Sequence, residues 1–158
     1  MTTVRLSPLL AALTWVALGG AMIFVAGVAI GILSYADVLF GFLPDFAFAR
    51  GPLIALELAF GICIEVLLVV TGVLVGYIVA DRIFRPSALR WANALVAAAA
   101  VATVLVFATL FFIPGPPQLS LFMVGAVAVG ATIVLVLLVL RSLLRRAVSI
   151  NVELEEVV

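Results

Sequence analysis

Four long apolar runs, residues 8–33, 52–79, 91–113 and 119–140, constrain this chain more than any other feature. Each meets the roughly 20 residues that a helix needs to cross about 30 Å of hydrocarbon. Lipid offers no water to backbone N–H and C=O groups, so each run must satisfy them internally, as a helix. The composition agrees: 68% of the 158 residues are hydrophobic and only 10% are charged, where a soluble domain carries about 25%. The expected fold is all-α: an integral membrane four-helix bundle, a single transmembrane domain over residues 1–158 whose last part, 141–158, is a polar tail. A basic residue, Arg5, precedes the first run as in a signal peptide. That run, however, continues past the roughly 7–15 residues of a leader's apolar core, and no small-x-small site is followed by polar chain.

Orientation is read from the arginines, because short cytoplasmic loops retain basic residues. All eight basic residues are Arg. Arg5, then Arg82, Arg85 and Arg90 in the second connection, then Arg141, Arg145 and Arg146 after the fourth run all fall on one side of a four-span chain. The first connection carries only Arg50 against Asp37 and Asp45, and the third, Pro114-Gly115-Pro116-Pro117-Gln118, has no charge. Both termini are therefore expected inside, in the cytoplasm of a bacterial cell, with the protein multi-pass in the inner (plasma) membrane.

The connections differ in what they can do. The third is a Pro/Gly turn between antiparallel helices and offers no side-chain chemistry. The first, Ser34 to Gly51, interleaves Tyr35, Phe40, Phe42, Phe46 and Phe48 with Asp37, Pro44 and Asp45. Aromatic rings settle at the headgroup level, so this segment reads as an interfacial belt, a short amphipathic helix or a lid.

Small residues suggest close helix packing: Gly27 with Gly31, Gly72 with Gly76, and Gly125 and Gly130 in the fourth run. Close approach supplies dispersion where lipid removes the hydrophobic drive, and the same spacing suits a homodimer. Thr71, Thr103 and Thr132 are expected to bond back to their own helix or to a neighbour. Cys63 stands alone in an apolar run and reads as a small hydrophobe. With no His in the chain, neither a metal site nor a cofactor is expected.

Glu57 and Glu65 are the residues that do not belong in hydrocarbon. Intramembrane acids are costly and usually face the protein interior. A separation of eight residues advances a helix by about 800°, so the two share a broad face rather than one line. Glu57 lies toward the outer interface, within reach of Arg50, and Glu65 lies near the midplane with no embedded basic partner. Desolvation penalises the anion, so Glu65 reads either as a proton-responsive or cation-binding site or as a neutral acid bonded to a Thr or a backbone carbonyl.

Two segments could hold a partner. The loop from Asp81 to Trp91 places Arg82, Arg85 and Arg90 where they meet lipid phosphates or a protein. The tail follows Arg141, Arg145 and Arg146 with Glu153, Glu155 and Glu156. Its apolar residues alternate as a strand at Val148, Ile150, Val152 and Leu154, or form a helical stripe at Ala147, Ile150, Leu154 and Val157. Periodicity leaves both open.

The strings Arg82-Ile83-Phe84 with Pro86, Ala88-Leu89-Arg90-Trp91, Leu143-Leu144-Arg145-Arg146-Ala147 and Glu153-Leu154-Glu155-Glu156-Val157, with the spacing of the four runs, resemble a bacterial, actinobacterial-type family of small four-span membrane proteins classed as a domain of unknown function. The resemblance implies genes beside Xre-type helix-turn-helix regulators and lends no catalytic residues. The first expectation is a non-enzymatic sensor or tether that binds membrane lipids and a cytoplasmic transcription regulator, without touching nucleic acid itself. The alternative is a small transporter or proton-linked channel using Glu65. No nucleophile-base pair or second acid beside Glu65 supplies enzyme chemistry.

Overall fold

A computed structural model describes residues 8–42, 48–80, 86–112 and 117–156, and all of its regular structure there is helical. Four helices follow in order: α1 (Pro8–Gly41), α2 (Arg50–Val79), α3 (Pro86–Thr109) and α4 (Pro117–Glu156). All four are long and apolar enough to cross a membrane. Pro8, Pro86 and Pro117 open their helices, where a missing N–H costs nothing because the first turn has no intrahelical acceptor for it.

Helix α3, with 24 residues, extends about 36 Å and suits the hydrocarbon thickness. Helices α1 and α4 exceed it: 34 residues give about 51 Å and 40 residues about 60 Å. The overhang of α1 absorbs half of the expected first connection. Ser34 to Gly41 continue α1 rather than forming a separate lid or interfacial helix. The overhang of α4 resolves the tail: it is helix to Glu156, not strand.

The chain folds inside out relative to a water-soluble protein. Leu9, Ile23, Phe24, Phe42 and Leu121 are each more than 70% exposed, whereas none of the buried hydrophobic residues is larger than Val. In lipid an exposed Leu costs nothing, so the contacts between helices go to residues that let backbones approach. Ala88, Ala92, Ala99 and Ala102 form the buried stripe of α3, at the mixed three- and four-residue spacing that keeps one face of a helix against a partner.

The helices pack in chain order. α1 lies on α2, α2 on α3 and α3 on α4, and no other pair of helices comes into backbone contact among the described residues. The expected bundle is therefore an open one in which α1 does not close on α4. Neighbours alternate in direction: Trp15, early in α1, covers Gly72, late in α2, and Thr103, late in α3, meets Gly130, in the first half of α4. The start of α1 and the end of α4 thus share one end of the array.

The glycines separate into packed and unpacked. A Cβ on Gly72 would stand 3.3 Å from Cζ3 of Trp15 and 3.6 Å from Cδ1 of Leu18. Gly27, Gly31 and Gly125 have nothing within 4 Å of the same position. The Gly27/Gly31 pair, expected to tighten the bundle, makes no such contact among the described residues. Thr71, Thr103 and Thr132 bond to the carbonyls of Leu67, Ala99 and Ala128 on their own helices at 2.7, 2.9 and 2.9 Å. Hydroxyls satisfied this way are cheap to hold in lipid and add nothing between helices.

Candidate functional site

Where the array opens, it leaves a broad space that is more open than enclosed. At the end opposite the chain termini all four helices contribute to a cavity of about 640 Å³, within the range of about 300–1,000 Å³ typical of small-molecule sites. Gly31, Ile32, Ala36 and Phe40 of α1, Leu53 and Ile54 of α2, and Met123 of α4 make its wall mainly apolar. Three polar side chains interrupt that wall: Tyr35, Glu57 and Thr109. Because α1 and α4 line the same space without backbone contact, the gap between them gives the cavity a side facing the bilayer.

Glu57 stands about 10 Å along α2 from Arg50. The expected ion pair between them is absent: no hydrogen bond or ion pair engages Glu57 among the described residues. Glu57 also lines a cleft of about 120 Å³ between α1 and α2, with Phe24, Val28 and Phe60. Glu57, an exposed residue, thus borders two mainly apolar spaces. Thr109 donates its hydroxyl hydrogen to the Leu105 carbonyl at 2.8 Å, so toward the cavity its oxygen acts only as an acceptor.

Glu65 occupies the middle of α2, half-buried, and lines none of the cavities described here. The expected hydrogen bond from Glu65 to a Thr or a backbone carbonyl is absent among the described residues. A further apolar cavity of about 240 Å³, bounded by α2, α3 and α4, is walled by Phe60, Ile64 and Leu67 on α2. Glu65 lies at the same depth and does not line it.

The arginine end has a different character. Arg82 and Arg85 lie outside the described residues. Arg90 is exposed near the start of α3 and borders a cleft of about 380 Å³ with Tyr77, Ser87 and Trp91. The Thr103–Gly130 contact fixes the antiparallel register of α3 and α4 and brings Arg90 level with the Arg141–Arg146 stretch. Arg141 is half-buried, and Arg145 and Arg146 are exposed. Val148, 5% exposed, lies level with the first turn of α3, while Ile150 is 58% exposed. Of the stripe Ala147, Ile150, Leu154 and Val157, Ala147 is half-buried and Ile150 exposed, and the side chains of Leu154 and Val157 lie outside the described residues. Glu153, Glu155 and Glu156 continue the helix, and their side chains lie outside the description.

A protein-family model, described as a protein of unknown function (DUF2975), matches residues 3–158. The chain belongs to the DUF2975 family. The match takes in all four helices together with the tail of α4, so the cavity and the arginine end both lie within the DUF2975 region. Comparison of this DUF2975 chain with curated proteins and with solved structures found no match.

Sequence reasoning singled out Glu65 and passed over the cavity. Tyr35 and Phe40 carry a signal, the aromatic density after Ser34, but that density alone suits an interfacial belt, a short amphipathic helix or a lid equally well. Thr109 and Met123 carried none, since their role comes from the arrangement of helices distant in sequence. Among the described residues, no group of three or more acidic or Cys side chains is arranged to hold a metal ion.

Proposed function

We propose that this DUF2975 protein is a non-enzymatic sensor or tether of a bacterial inner membrane, with both termini in the cytoplasm. It reads a membrane-soluble ligand in the cavity at Glu57 and holds a cytoplasmic helix-turn-helix regulator at its arginine end. The observation that carries this reading is the continuity of α4: one helix contributes Met123 to the cavity wall and runs on to Glu156. A hydrogen-bonded helix transmits tilt and axial displacement along its length, so a change at Met123 reaches the tail about 50 Å away. A ligand shifts such an equilibrium only by its differential affinity for the two positions of α4. The missing α1–α4 contact leaves α4 braced on one side, by α3 alone among the described residues.

The partner surface in this reading is the cluster of Arg90, Arg141, Arg145 and Arg146 with Glu153, Glu155 and Glu156 beyond it. Arginines facing the cytoplasm also hold anionic lipid, so the acidic tail gives protein specificity and the arginines give placement. A transport role would run through Glu65, which lines none of the cavities described above, and no observation favours it.

The test is cross-linking and recovery from native membranes, with the intact chain beside one truncated after Ile150, which keeps the buried Val148. A DNA-binding regulator recovered only with the intact chain is the expected outcome. Equal recovery with the truncated chain overturns the role of the tail.

A further inference from the structure

We propose that the cavity at Glu57 binds a protonated organic amine that partitions into the membrane. This rests on the sensor reading only in taking the same cavity as the ligand site. Acceptors dominate the polar groups in the wall. Glu57 offers carboxylate oxygens, Thr109 offers an oxygen whose hydrogen is already given to Leu105, and Tyr35, 72% exposed at the rim, adds a hydroxyl that can accept as well as donate. Among the described residues no Arg lines the space, and the chain contains no Lys or His; the nearest cation along α2, Arg50, stands about 10 Å from Glu57, so an anionic ligand in the space would meet the carboxylate rather than a counter-charge.

Acceptors without opposing cations fit a ligand that brings N–H donors and positive charge, and an ammonium does both. Tyr35 and Phe40 place two aromatic rings in the same wall, and a ring face attracts a cation that has shed its water. The rest of the wall is aliphatic, which suits a compact hydrocarbon body. Glu57 in turn gains from the ligand, because an acid in lipid is costly until paired. The opening between α1 and α4 admits such a molecule from the bilayer, where an amphipathic amine concentrates.

The probe is radiolabelled 1-adamantylamine, with 1-adamantanol as its neutral counterpart of nearly the same shape. Both are measured by equilibrium dialysis against the full chain in vesicles of phosphatidylcholine and phosphatidylglycerol. Saturable binding of the amine, weakened about tenfold or more by Glu57→Gln, largely kept by Glu57→Asp and unchanged by Glu65→Gln, is expected, since a charge-assisted hydrogen bond contributes that much. Circular dichroism shows whether Glu57→Gln retains its helix. Equal binding of amine and alcohol, or unchanged amine binding in the folded Glu57→Gln protein, overturns the proposal. The same vesicles separate it from the sensor reading. Amine bound through Glu57 without any effect on regulator capture upholds the site and removes the signalling role. Tail-dependent capture of the regulator with no saturable amine binding overturns the amine site and leaves the tether standing.

Discussion

A Cβ placed on Gly130 would stand 2.7 Å from Oγ1 of Thr103 and 3.3 Å from its Cβ. Helices α3 and α4 therefore meet backbone to side chain at this point, and only glycine fits. Thr103 cannot swing away cheaply, because its hydroxyl is bonded to Ala99 and its own Cβ is part of the obstruction. The contact fixes the register that brings Arg90 level with Arg141–Arg146.

Gly130→Ala is expected to destabilise the protein by about 1–3 kcal/mol, the usual cost of overpacking. Adding Thr103→Ala removes the two nearest atoms and is expected to recover part of that loss. Reversible unfolding in mixed micelles, taken through the four-protein cycle, measures the coupling. Additive effects would mean that the two residues do not meet.

The Trp15 ring covers Gly72 and Gly76: a Cβ placed on them would stand 3.3 and 4.0 Å from it. With Trp91→Phe, Trp15 becomes the sole tryptophan of the chain and reports on the α1–α2 contact. Gly72→Val is expected to displace the ring, changing its emission maximum and lowering the thermal midpoint. Gly27→Ala, where the added methyl meets nothing within 4 Å, should leave both unchanged or raise the midpoint slightly through helix propensity. Identical spectra for the Gly72 and Gly27 variants would contradict the packing.

Topology is accessible through the single cysteine. After Cys63→Ala, a new cysteine at Ser149 or Gln118, both exposed, is offered to a membrane-impermeant thiol reagent in intact cells. Gln118→Cys is expected to react at once and Ser149→Cys only after permeabilisation. The opposite pattern would invert the protein and remove the cytoplasmic regulator with it.

Ser142 is exposed on α4 just beyond Leu140, and its hydroxyl bonds back to the Val139 carbonyl. Ser142→Pro removes a backbone donor and introduces a clash in the helix interior, at a cost of about 3 kcal/mol or more. Bending α4 there is expected to leave amine binding at Glu57 intact while regulator capture no longer responds to the ligand. Tail capture that stayed ligand-responsive would show that α4 is not the route.

The all-helical fold class and the presence of four helices long and apolar enough to span a membrane were legible from the residues, because a backbone in hydrocarbon has few choices and the apolar runs declare it. Helix ends were less so. Ser34 to Gly41 read as a connection because aromatic and acidic residues also suit an interface, yet nothing in them stops a helix before Gly41. In the tail, a strand periodicity over residues 148–154 and a helical one over 147–157 overlapped, and continuation of α4 to Glu156 chose between them. What only the tertiary structure decided was which small and polar residues face one another. A hydrophobic pattern cannot orient a helix that is apolar all round, because lipid and neighbour look alike to it. Thus Gly130 and Gly72 became contacts while Gly27 did not, and the acid that meets a cavity is Glu57, not the more deeply placed Glu65.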